Sequence, residues 1–114
     1  MSLSSDNLAV AYEFLRVSAF DRDPHLPSSK FVRFRTANLK NHGDYEYAKG
    51  RHIIRLDKSG DTKSWTHALQ ILAHEMIYLA MRHQDVSDAE AHDTSFKQAA
   101  AMVEEKMGWP KGSV

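Results

Sequence analysis

Two adjacent residues, His74 and Glu75, offer the most direct chemistry in this sequence, and both lie in an apolar run from Ile71 to Ile77. Neutral imidazole is a good ligand for a divalent metal. A carboxylate beside it can take and return a proton. In zinc hydrolases of the HExxH type, two histidines one helical turn apart hold the ion and the intervening Glu activates the bound water. Here the second ligand position is Tyr78. A phenol loses its proton only near pH ~10. Its oxygen also reaches further than an imidazole nitrogen, so Tyr78 is not a simple replacement. His92 follows His74 by eighteen residues, just ahead of a helix-capping pair, Asp93-Thr94, and its side chain can turn back toward the preceding helix. His67 lies two turns before His74, about 10 Å along the axis, too far to share one ion. It reads as a rim residue.

These groups need a scaffold, and the hydrophobic pattern supplies one. A helix is expected from about 5 to 20, capped by Ser4, Ser5 or Asp6. Leu8, Ala11, Leu15 and Ala19 form its apolar stripe, widened by Val10, Phe14 and Val17. Pro24 and Pro27 end it. Three short strands follow between residues 30 and 57, expected as a meander. Phe31–Thr36 alternates, with Val32 and Phe34 inward and Arg33 and Arg35 outward. Asn41-His42-Gly43-Asp44 is a turn signal, Tyr45–Ala48 a weaker strand, and His52–Leu56 a strand rich in β-branched residues. A second helix is expected from about 64 to 83. One of its stripes, Trp65, Leu69, Leu72, Met76 and Leu79, is assigned to the core, and a neighbouring one carries His67, Ile71, His74 and Tyr78. A third helix, about 93 to 107, carries Phe96, Ala100, Val103 and Met107, with Gly108 and Pro110 at its exit. The layout is α+β, with helices packed on one small sheet.

The composition agrees. At 114 residues, with 42% hydrophobic and 26% charged, the chain has the size and balance of one globular domain, 1–114 with its core at about 5–108. It contains no cysteine, which excludes a disulfide, a zinc ribbon and a thiol nucleophile. No apolar run approaches the ~20 residues needed to span a bilayer, and no secretory signal is visible, so no membrane partner is expected and a cytoplasmic location is. The net charge of zero is uneven: residues 16–63 hold eleven Lys/Arg against six Asp/Glu. Arg33, Arg35, Arg51 and Arg55, with Tyr45 and Tyr47 nearby, make a nucleic-acid contact conceivable. The plainer reading of that segment is a solvated sheet face.

With these residues in view, the sequence resembles the SprT-like domain family, which includes the protease core of Spartan. Leu72-Ala73-His74-Glu75-Met76-Ile77-Tyr78-Leu79 follows that family's Leu-x-His-Glu-Met-Ile-His pattern at all but the second His. Ala91-His92-Asp93-Thr94-Ser95-Phe96-Lys97 follows its third-ligand segment at His92 and Phe96, without its Gly and Pro. The resemblance implies a minimal zincin-like fold with zinc as cofactor. It implies His74 and His92 as ligands, Glu75 as general base, and a protein or peptide substrate. Tyr78 or Glu90 would complete the ligand set, with Asp88 and Asp93 as further acidic candidates. His83, about 180° around the helix from His74, is poorly placed. Similar stand-alone domains are familiar from phages and mobile elements. On this reading the strand 52–56 is an edge that holds extended peptide through Ile53, Ile54 and Arg55 by β-augmentation. The alternative is an inactive zincin-fold module that binds a protein or nucleic acid.

Overall fold

The computed structural model describes residues 3–58, 64–83 and 89–114, with the backbone alone for residues 83 and 89–92. Among the described residues the order is α1 (Ser5–Ser18), a 3-10 turn (Ser29–Phe31), β1 (Val32–Ala37), β2 (Gly43–Ala48), β3 (Arg51–Asp57), α2 (Trp65–His83) and α3 (Ala89–Met107). This is the expected α+β composition. None of these helices is long and apolar enough to cross a membrane.

The sheet order is β1-β3-β2, with β1 parallel to β3 and β2 antiparallel to it. A meander would have put β2 in the middle, so that expectation is corrected. β3 buries His52, Ile54 and Leu56 on one face, whereas β2 carries Gly43, Asp44 and exposed Glu46. The more apolar strand takes the centre and the more polar one an edge. Lys49 and Gly50, with φ of 54° and 75°, form the two-residue loop of the β2–β3 hairpin. Positive φ at both positions matches the right-handed twist of the strands they join.

The central position of β3 also corrects its expected role. Both of its backbone edges are hydrogen-bonded to neighbours, so Ile53, Ile54 and Arg55 cannot receive a peptide by strand addition. Ile54 is fully buried, and Arg55 pairs with Asp44 through Nε at 2.8 Å. Tyr45 and Tyr47 lie opposite Ile54 and His52, on the helix-covered face. Arg33, Arg35 and Arg51 are exposed on the other face, so the arginines and tyrosines do not form one surface.

α1 begins in a capping box: the Ser4 hydroxyl accepts from the Asn7 backbone and the Asn7 side chain accepts from the Ser4 backbone. Leu8, Ala11, Tyr12 and Leu15 are buried beneath it. Val10, Phe14 and Val17 are exposed, contrary to the wider stripe expected, because α1 covers β1 and touches α2 along one side only. α2 lies across β3 and β2, and α3 packs on α2. Leu72, Ala73, Met76, Ile77, Leu79 and Ala80 of α2 are buried. Trp65 is 38% exposed at the helix start, which corrects its placement in the core. α3 starts four residues earlier than the capping pair suggested, so His92 lies within its first turn.

Gly43 sets the distance between β2 and α2. A Cβ there would sit 2.9 Å from the Arg55 carbonyl oxygen and 2.9 Å from Ile71 Cγ2. Neither neighbour is the free end of a flexible chain. Gly43→Ala is therefore expected to lower stability by about 1–3 kcal/mol, as overpacking does. Urea unfolding measures it, and an unchanged midpoint would show that the strand and helix are not held this tightly.

Candidate functional site

α2 supplies two adjoining faces, one buried against β3 and α1 and the other opening on a cleft of about 760 Å³. His67, Gln70, Ile71, His74, Glu75 and Tyr78 line it from α2, facing Asn41 to Tyr45 of β2 and the loop before it. His74 and Glu75 thus line one cleft, while the expected approach of His92 to His74 falls on a side chain outside the described residues. His67 is half-buried in the cleft lining, its ring edge-on to His42 at 5.4 Å.

Burial sets the protonation of both central groups. Glu75 is 6% exposed, and its pKa is pushed up to about 7, first by burial and then by the Asp44 carboxylate across the cleft. That value suits a group that must both accept and return a proton near neutrality. Burial lowers the His74 pKa, opposed by a hydrogen bond that the ring donates to the Val114 backbone. The shift favours the neutral imidazole, the form in which histidine binds a metal.

Tyr78 packs into a three-ring cluster. Its centroid lies 5.3 Å from that of His74 and 4.9 Å from that of Phe96, while His74 and Phe96 are 4.7 Å apart. The ring takes the place one turn beyond His74 that a second imidazole would fill. Asp88 lies outside the described residues, as do the side chains of Glu90, His92 and His83. The described Asp93 is exposed, in an ion pair with Lys97 at 3.1 Å. Among the described residues no group of three or more His, Cys, Asp or Glu could hold a metal ion. The described part of the site offers one imidazole, His74, with the Tyr78 phenol as its helical neighbour, and the expected ligand His92 falls on a side chain outside the described residues.

Sequence patterns missed several residues of the cleft. Gly43 and Asp44 read as a turn but begin β2, and their loop-like composition concealed the strand. Arg82 also lines the cleft, its guanidinium 4.1 Å above the Tyr47 ring. Tyr45 donates or accepts at His52 Nδ1, 2.8 Å away, and burial raises its pKa to about 12. Ser113 and Val114 reach the cleft from the far end of the chain, and no local signal announces that.

The model of the SprT-like family matches residues 14–113, which include all the cleft-lining residues except Val114. No curated protein and no solved structure matches the chain.

The Glu75 shift has a measurable consequence. Its folded pKa of about 7 lies above the ordinary 4.5, so between those values the folded chain holds a proton that the unfolded chain has released. The resulting destabilisation is absent below the lower value and complete above the higher one. Glu75→Gln is expected to gain stability relative to the parent as pH rises from 5 to 8, by about 2 kcal/mol. Urea titrations at both pH values test this, and a pH-independent difference would contradict the assigned shift.

Proposed function

The chain belongs to the SprT-like family, and from that premise we propose a metallopeptidase-type domain that acts on peptide chains, with a metal site reduced by Tyr78. The carrying observation is that His74 and Glu75 open together on one cleft large enough for several peptide residues. Peptide-bond hydrolysis is the reaction this arrangement serves. Glu75 is the proton-transfer group: as carboxylate it takes the proton of the attacking water, and as acid it delivers that proton to the leaving amine. A pKa of about 7 makes both forms available near neutrality. The walls of α2 and β2 hold the substrate beside it and exclude bulk water. Zinc, where bound, would polarise the scissile carbonyl and the attacking water, with His74, His92 and Tyr78 or Glu90 as the residues that would hold it. A phenol at position 78 in place of a second imidazole weakens such a site, so hydrolysis by the parent chain is expected to be weak.

A second reading, a catalytically silent peptide-binding module, draws support from the packing of Tyr78 on His74 and Phe96. The ring stands where the second imidazole of the motif would be and packs on the first.

Tyr78→His separates the two readings. It restores an i, i+4 imidazole pair on a helix that already presents that face. We expect zinc affinity to rise by at least a hundredfold, beyond the ~10–100-fold effect of losing a supporting partner. Zinc should then raise the melting temperature of the variant, and peptidase activity should appear and depend on Glu75. Metal content by elemental analysis, with assays of Tyr78→His and of Tyr78→His combined with Glu75→Gln, provides the test. Zinc binding without hydrolysis supports the binding module. No gain in zinc affinity, with no zinc in the parent, overturns the metallopeptidase assignment.

A further inference from the structure

Residues 109–114 turn back after α3, and Ser113 and Val114 reach the cleft. α3 ends in a Schellman motif: Gly108, with φ of 69°, donates to the Glu105 carbonyl at 3.3 Å, and Trp109 donates to the Glu104 carbonyl at 2.9 Å. The chain reverses there. Trp109 packs on the main core, and a turn closes between the Pro110 carbonyl and Ser113, whose N–H and hydroxyl donate at 3.2 Å and 2.6 Å. Gly112, with φ of 89°, supplies a backbone conformation that L side chains avoid.

A buried carboxylate fixes this turn. Glu104 is 6% exposed, and its Oε2 accepts from the Gly112 N–H at 3.0 Å and the Val114 N–H at 2.9 Å. Charge-assisted bonds of this kind are about twice as strong as neutral ones. With Val114 so held, its side chain packs against Ile77, Met81 and Ala100, and its backbone accepts from the His74 ring. Ser113 and Val114 thereby line the same cleft as His74, Glu75, Tyr78 and Arg82.

We propose that residues 113 and 114 are an internal occupant of the peptide site, latched by Glu104, and that the subsite beside His74 takes a small residue followed by a branched aliphatic one. The proposal rests on reading the cleft as a peptide site and deepens it, because the tail shows what the pocket accepts. Backbone groups are held by a carboxylate and by an imidazole, the aliphatic side chain by the apolar wall of α2 and α3. A tethered segment competes at an effective concentration in the millimolar range. An added peptide must displace it, so its apparent affinity falls by the fraction of molecules in which the site is open.

Gly112→Pro in the full chain releases the tail, since proline cannot adopt φ of 89° and has no N–H to give Glu104. Glu104→Ala is a second release variant. NMR contacts of Val114 with Ile77 and Met81 report whether the tail is seated. The probe is a synthetic peptide of residues 109–114, titrated into parent and variants, beside the same peptide carrying Val114→Asp. We expect loss of the tail contacts, probe binding at least tenfold tighter than in the parent, and at least tenfold weaker binding of the Asp peptide. Tail contacts that survive both variants overturn the latch. Released contacts with equal, measurable probe affinity in parent and variants overturn the internal occupant while the peptide cleft stands. Equal binding of the Val and Asp peptides overturns the subsite assignment. Released contacts with no probe binding to any form overturn the peptide cleft, and the proposal with it.

Discussion

The structure depends on how α2 is seated. Its buried stripe, Leu72, Met76 and Leu79 with Ala73, packs against the sheet and α1 at zero exposure, and Ala80 is buried beside it. Each large side chain so buried contributes about 1.5–3 kcal/mol. The helix therefore cannot rotate without exposing that stripe, and a neighbouring face must point into the cleft. His74, Glu75 and Tyr78 are placed by the packing of residues that do no chemistry. Gly43 completes the constraint on the opposite wall, letting β2 approach until Ile71 and Glu75 meet it.

The same seating accounts for the chemistry of the two central groups. Held between helix and strand, Glu75 loses water and its carboxyl retains a proton up to about pH 7. His74 loses water as well, which lowers its pKa and favours the neutral ring. One cause acts on an acid and a base, and both are driven toward their uncharged forms. Asp44, the nearby carboxylate, is matched by Arg55.

Much of this was legible because it is local. The period of 3.6 put His74 and Tyr78 on one face, and the period of 2 put Val32 and Phe34 inward and Arg33 and Arg35 outward. Strand order was not legible. Alternation specifies which face a residue takes but not which strand lies beside it, and the parallel β1–β3 pairing joins segments twenty residues apart. Val10, Phe14, Val17 and Trp65 fit the helical stripe by type and spacing. Their exposure depends on where neighbouring elements end, which periodicity does not encode. The tail was less legible still. Gly108 and Pro110 were readable as a helix exit, but Glu104 resembles any solvent-facing glutamate until the returning backbone is seen against it.

The distribution of charge bears on which kind of chain this surface suits. The sheet face bearing Arg33, Arg35 and Arg51 is open, but the tyrosines that could stack on bases lie on the opposite side, Tyr47 beneath the Arg82 guanidinium and Tyr45 bonded to His52. A site for single-stranded nucleic acid combines a basic groove with stacking rings on one surface, and here the two are separated by the thickness of the sheet. In the cleft the pattern is reversed. Burial favours the uncharged forms of His74 and Glu75 there, and Asp44 is matched by Arg55. What remains is an apolar wall with hydrogen-bonding groups placed to meet a backbone, and the chain's own residues 113 and 114 lie against it. The Arg82 guanidinium, stacked over the Tyr47 ring, adds a cation to that lining.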